Sequence, residues 1–260
     1  MRQRTTPCSI PRRTSAPSYG GLLAVAVMTV VVAGSLGCRL DQPRGTGPTG
    51  SGRVATDTRA VTGFSAIDLR GVGQLTVTLG GSEGLTVEAE DNLLPLISST
   101  VSGDTLILEL KDGRPTRPIV YRVTARQVTA LSTSGAGDID APGVTGASLR
   151  TNQSGAGNVR LERLSVETLE SSLAGAGSLD ANGTAARLLV SMAGAGNVAA
   201  RDLAVKDAEI TISGAGKATV RVSDTLKARL TGAGSVEYIG NPRVDSSISG
   251  GGTVRPLSGS

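Results

Sequence analysis

The chain has 260 residues, 36 of them glycine, with no histidine, no tryptophan and two cysteines, both within the first 38 residues. Without histidine, and without cysteine beyond position 38, Cys-His and Ser-His-Asp catalysis, zinc sites and disulfides are excluded, while carboxylate chemistry and oxygen-ligand metals stay open. The formal charge of +4 comes from Arg2, Arg4, Arg12 and Arg13; the remainder carries 22 basic and 22 acidic residues, with no basic cluster and no stacking aromatics, so nucleic acid is set aside as a partner.

Residues 1–37 read as a signal peptide. A basic stretch is followed by the apolar run "LLAVAVMTVVVAGSLGC", too short and too rich in small residues at its end for a good membrane-spanning helix. Ser35-Leu36-Gly37-Cys38 resembles a bacterial lipobox, matching at Gly37 and Cys38 and departing at Ser35, where leucine is preferred. That resemblance implies lipidation of Cys38 and a membrane partner reached through the lipid. Arg39 after the cysteine, in place of aspartate, favours the outer membrane in a diderm host by the same resemblance. Residues 38–58 then form a lipidated cysteine and a Gly/Pro/Thr/Ser-rich tether, spanning about 25 Å as a random coil.

From residue 59 the chain reads as β-structure. "FSAIDL", "GQLTVTLG", "GLTVEAE" and "DTLILEL" are strand-like, "DNLLPLISSTV" is an excursion, and "KDGRPTRP" is a proline-interrupted loop before "IVYRVTARQV". Gly71-Val72-Gly73 looks like a degenerate form of the unit that dominates the rest. The expectation for 59–125 is a set of opening coils with longer insertions, capped at the end because an open parallel edge invites aggregation.

Residues 126–256 repeat. Gly-Ala-Gly occurs at Gly135/Gly137, Gly155/Gly157, Gly175/Gly177, Gly194/Gly196, Gly214/Gly216 and Gly232/Gly234, and Gly-Gly-Gly at Gly250/Gly252, with steps of 18–20 residues. Six residues before the units from the second onward the column is Leu149, Leu169, Leu188, Ala208, Leu226 and Val244; one residue later it is Arg150, Glu170, Leu189, Glu209, Lys227 and Asp245. This period-2 alternation predicts a strand with one buried face before every unit. The apolar column Ile139, Val159, Leu179, Val198, Ala218, Val236 and Val254 predicts a second strand after it. A third apolar cluster, as in Leu161, Leu164 and Val166, recurs between some units. Strand, bend, strand, loop, strand every 18–20 residues is the coil of an all-β, single-stranded parallel β-helix, or β-solenoid.

The glycine units admit two readings. As corners, they provide positive φ and room for the neighbouring backbone. As phosphate cradles, the best candidate is "SGAGKATV" with Lys217 and Thr219, but Ala218 intervenes, position 212 is Ile, no helix follows and the unit recurs seven times. The corner reading is preferred for all fourteen glycines. Calcium-binding nonapeptides need a period of nine, so no metal is assigned and no cofactor is implied.

"VTGFSAIDLRGVGQLTVTLG…GLTVEAEDNLLPLISSTVSGDTLILEL", followed by "SGAGDI", "SGAGNV" and "TGAGSV", resembles the bacterial auto-transporter adhesin head, or GIN, domain family over about residues 59–256. The resemblance implies a secreted, right-handed parallel β-helix. The family's Asn or Asp after the second glycine is met at Asp138, Asn158 and Asn197 and departs at Ser178, Lys217, Ser235 and Thr253; a ladder satisfying corner backbone groups accounts for that column.

Three functions are compatible with this reading. One is a non-catalytic, exported, lipid-anchored envelope protein at the outer membrane or cell surface, presenting a solenoid to a protein or polysaccharide partner. A second is a polysaccharide lyase or hydrolase, with Asp138, Asp140, Glu170 and Asp180 as carboxylates and only Phe64, Tyr121 and Tyr238 as sugar-stacking rings. A third is a periplasmic regulatory or structural component.

Overall fold

The computed structural model describes residues 47–257, so the signal peptide, Cys38 and the first part of the predicted tether lie outside the described residues. Among the described residues, no helix is long and apolar enough to cross a membrane.

The N-terminal part contains seven strands: β1 (Val54–Arg59), β2 (Ala66–Gly71), β3 (Gln74–Leu79), β4 (Gly84–Glu90), β5 (Ile97–Ser102), β6 (Thr105–Leu110) and β7 (Val120–Ala125), with a 3-10 turn at Leu94–Leu96. The repeats contribute β8 (Ala130–Gly135), β9 (Asp138–Asp140), β10 (Thr145–Gly155), β11 (Asn158–Gly175), β12 (Ser178–Gly194), β13 (Asn197–Gly214), β14 (Lys217–Gly232), β15 (Ser235–Ile239), β16 (Arg243–Ser249) and β17 (Thr253–Pro256).

These strands stack as a β-solenoid. On the face that precedes each glycine corner the order is β5, β6, β2, β8, β10, then the second halves of β11, β12, β13 and β14, then β16. On the face that follows it the order is β1, β4, β7, β3, β9, the first halves of β11 to β14, β15 and β17. All pairings are parallel except β1–β4, β4–β7 and β5–β6. The period-2 columns become ladders: Leu149, Leu169, Leu188 and Leu226 are fully buried and stacked in register. Each buried aliphatic side chain contributes roughly 1.5–3 kcal/mol, so an aliphatic core of this length holds without disulfides.

Four expectations are corrected. First, the expected loop between strands is absent in the middle coils: β11 and β13 each run 18 residues from one glycine unit to the next. The chain turns within β11 at an irregularity between Leu161 and Leu164, where Arg163 has φ 53° and its N–H donates to Asn182 Oδ1 at 2.8 Å, and within β13 at irregularities between Ala200 and Ala204 and between Val205 and Asp207. Bulges bend a strand while keeping most of its ladder, so no loop is needed.

Second, the folded body begins before residue 59. Thr49 bridges to Arg114, β1 pairs along its whole length with β4, and Gly52 N–H donates to Glu90 Oε1 at 2.8 Å. The latter part of the stretch expected as tether therefore belongs to the domain.

Third, the opening coils do not stack in chain order. β2 and β3 form a coil whose Gly71 corner registers with Gly135, but β6 and β7 return to the opposite side of that coil. The first coil in sequence is therefore internal. Beyond it the end is closed by antiparallel strands, and Arg59 ties them together: its guanidinium donates to Ile97 O at 2.7 Å and to Leu94 O at 3.0 Å.

Fourth, the fourteen repeat glycines are not one kind of corner. The first of each unit turns the chain, with φ between 111° at Gly135 and 140° at Gly214. The second of each unit, at Gly137, Gly157, Gly177, Gly196, Gly216, Gly234 and Gly252, has no positive φ and is not a corner in that sense. A unit needs to turn only once. What the second glycine supplies is space. A Cβ on Gly177, Gly196 or Gly252 would come within 3 Å of the carbonyl oxygen of the second glycine one coil below. On Gly137, Gly216 and Gly234 it would first meet a core side chain, Leu69, Met192 and Ile212 respectively.

Candidate functional site

The glycine units come first because they carried the main functional ambiguity. The backbone donors a phosphate would need are already used. Ala156 N–H donates to Gly135 O at 2.8 Å, Ala195 N–H to Gly175 O at 3.0 Å, and Ala215 N–H to Gly194 O at 2.9 Å. At the unit most like a phosphate loop, Lys217 N–H donates to Gly196 O at 3.0 Å and Lys217 Nζ lies 2.9 Å from Glu237 Oε2. These units bind the next coil, not an anion.

The polar column after the second glycine also bonds along the stack. Asp138 Oδ1 accepts from Asn158 N–H at 3.0 Å and from Asn158 Nδ2 at 2.9 Å, and Ser178 Oγ lies 2.6 Å from Asn158 Oδ1. Asp138 thus takes up a corner backbone donor, the role expected of a satisfying ladder.

Two residues further along, Asp140, Arg160 and Asp180 stand in register on adjacent strands. With Gln74, Thr76, Asp138, Asn158 and Ser178 they line an open polar cleft of about 450 Å³ on the face after the corners. The structure therefore brings together three of the four carboxylates picked from the sequence. Glu170 is elsewhere, on the other face, paired with Arg150 at 3.0 Å.

Asp138 and Asp140, two apart on one face of β9, stand roughly 7 Å apart, within the range of an inverting pair, but Asp138 already accepts two hydrogen bonds from Asn158. The wider pair is poorly suited to glycoside hydrolysis. Asp140 and Asp180 are two strand spacings apart, roughly 9.5 Å along the stack. That is the upper limit for an inverting pair, and Arg160 occupies the strand between them, where sugar and water would have to sit. The rings offer no platform either: Tyr121 and Phe64 are buried, and Tyr238 is packed against the core. Burial pushes the Tyr121 hydroxyl up to about 12.

Two buried carboxylates escaped the sequence reading. Glu90 accepts from Gly52 N–H and Thr116 N–H, both at 2.8 Å, and from Thr116 Oγ1 at 2.5 Å. The Thr116 hydroxyl and these backbone donors hold its carboxyl down to about 2. It organises the proline-interrupted loop and the entry of the chain. Glu237 lies between Lys217 and Arg255, and hydrogen bonds to both hold its carboxyl below the usual range. Glu90 ends an ordinary alternating strand and has no local signature. The Glu237–Arg255 pair could have been found by aligning the columns of the last two coils; Lys217 stands in the column of Ser235 and reaches Glu237 on the diagonal.

Comparison with known proteins places this geometry. A putative adhesin of Bacteroides fragilis NCTC 9343 is 27% identical, with a TM-score of 0.75 over 80% of this chain and 99% of that one. A putative lipid binding protein of Parabacteroides distasonis ATCC 8503 is 23% identical, with a TM-score of 0.68 over 81% of this chain and 99% of that one. A putative adhesin of the same strain is 24% identical, with a TM-score of 0.66 over 80% and 99% of the two chains. No curated protein matches the chain. The family model described as "putative auto-transporter adhesin, head GIN domain" matches residues 63–242, and the chain belongs to that family.

Proposed function

We propose that this protein is a non-catalytic, lipid-anchored envelope lipoprotein that binds a protein or polysaccharide partner through the outer face of its solenoid. Membership in an adhesin-type family supports an adhesion-type role outside the cytoplasm. The single observation that carries the binding reading is the cleft around Arg160. Its polar side chains are presented in register on stacked strands, a rigid surface repeating at strand spacing that matches an extended polar ligand better than a compact one. The carboxylate geometry and the buried rings weigh against a polysaccharide-cleaving site. Anchoring at Cys38 and export rest on the lipobox resemblance.

The test is protease treatment of intact cells producing the full chain, with a Cys38→Ser variant alongside. Digestion of the wild type, and release of the variant from the membrane fraction, is the expected result. Protection on intact cells, with digestion only after the envelope is opened, would replace surface adhesion by a periplasmic structural or regulatory role.

A further inference from the structure

The two ends of the solenoid are built differently. At the N-terminal end the parallel stack gives way to antiparallel β1, β4 and β5, clamped together by Arg59. At the other end the outermost strands are β16 and β17, which pair inward with β14 and β15; among the described residues no strand pairs with their outer edges.

β16 continues the core columns without a coil above it. Val244 is 37% and Ile248 44% exposed, while Leu226 and Leu230, their partners one coil below, are 0% and 1% exposed. Every residue of β16 is exposed. Such an edge offers a row of backbone donors and acceptors beside apolar side chains, and it recruits another strand unless something blunts it. β16 contains neither proline nor lysine.

The sequence of β16, "RVDSSIS", states what fits. Laid antiparallel on itself in the register that overlaps all seven residues, Val244 faces Ile248 of the second copy, Ser246 faces Ser246, Asp245 faces Ser247 and Arg243 faces Ser249. Each exposed apolar residue is then covered by the other, on the core side. The charges stand opposite hydroxyls, and no like charges are directly opposed, which cross-strand pairing requires. On the face of β16 the N-terminal edge is β5, and it is a poorer mate: the Arg59 guanidinium already donates to Ile97 O and to Ser99 Oγ, both at 2.7 Å.

We propose that β16 is a self-recognition edge: a second copy of this chain docks its own β16 antiparallel across a two-fold axis at Ser246, giving a closed, end-to-end dimer with a solenoid continuous through the junction. A two-fold contact uses the same patch on both copies and stops at two.

The full chain carrying Cys8→Ser and Cys38→Ser has no remaining cysteine, so one introduced thiol reads the contact. Purified in mild detergent and treated with a mild oxidant, Ser246→Cys is expected to give a disulfide-linked dimer, since directly opposed residues of an antiparallel pair lie about 4.5–5.5 Å apart at Cα, within disulfide reach. Adding Ile248→Arg should lower that yield at least tenfold while the chain keeps its native circular dichroism spectrum, because Ile248 stands at the open end of the core column. Three results would overturn the proposal: a Ser246→Cys chain that stays monomeric while folded, a dimer indifferent to Ile248→Arg, or cross-linking of Ser246→Cys to a Val101→Cys partner, which would make the assembly head-to-tail.

Discussion

The carbonyl oxygen of Gly137 lies 2.0 Å from the point where a Cβ of Gly157 would stand. Successive units are so close that the second glycine is fixed by the coil below, not by its own dihedral angles. Gly157→Ala must push two coils apart and is expected to cost at least about 3 kcal/mol, beyond ordinary overpacking. Gly155→Ala adds strain at φ 137° to a 2.1 Å contact with Gly135 O and should cost roughly 2–5 kcal/mol. Gly216→Ala is expected to be milder than Gly157→Ala, because the first atom it meets is the sulfur of Met192, on a flexible side chain.

Gly251 is the internal control. It stands where the other units have alanine, and a Cβ there meets nothing within 4 Å. Gly251→Ala restores Gly-Ala-Gly and should leave stability unchanged or raise it by up to about 1 kcal/mol. Urea unfolding followed by circular dichroism separates these variants.

Glu90 gives the fold an acid-sensitive point. Its folded carboxyl is held down to about 2 against an ordinary 4.5. A depressed carboxylate contributes stability that is present above the unfolded value and is lost as pH falls through the folded one. The wild type should therefore lose stability between about pH 4.5 and pH 2, and Glu90→Gln should be weaker at pH 7 and show less of that decline. Limited proteolysis across this range should cut first near Thr116 and Gly52, whose N–H groups the carboxylate holds.

Gln153 sits in a column otherwise continued by Leu173, Met192, Ile212 and Leu230. It is 4% exposed, and neither amide atom has a hydrogen-bond partner in the protein. An unsatisfied buried amide costs about 1–3 kcal/mol. Gln153→Leu matches its neighbour in the next coil and is expected to stabilise the protein by about 1 kcal/mol or more, read as a higher urea midpoint with an unchanged slope.

Thr151 and Ser171 form a buried hydroxyl pair at 2.8 Å, in register on adjacent strands. Thr151→Val alone strands the Ser171 hydroxyl and should cost about 1–3 kcal/mol. The double variant with Ser171→Ala should recover part of that loss, giving a coupling energy of about 0.5–3 kcal/mol in a double-mutant cycle. A cycle that closes to zero would mean the two hydroxyls are independent.

The sequence by itself determined everything that repeats at fixed spacing: the period, the buried columns from Leu149 to Leu226, the positions of the glycine units and the Asp138–Asn158 ladder. In a parallel stack, a residue's neighbour is its equivalent one coil away, so aligning the repeats amounts to reading contacts. Only the tertiary structure decided what does not repeat, or what identical letters conceal. Gly155 and Gly157 are the same residue type, yet one is required by its dihedral and by the backbone beneath it, the other by that backbone alone. That β6 and β7 return outside β2 and β3 depends on which free edge each strand meets, and strand composition is silent on that. Glu90's burial depends on Gly52 and Thr116 arriving from opposite directions along the chain. Asp180 joins Asp138 and Asp140 in one cleft while Glu170 falls on the other face, because register carries Asp180 onto the column of Asp140 and Arg160. The exposure of Val244 and Ile248, identical in pattern to buried residues in every earlier coil, follows from position alone: the alternation specifies which way a side chain points, and the stack decides whether anything covers it.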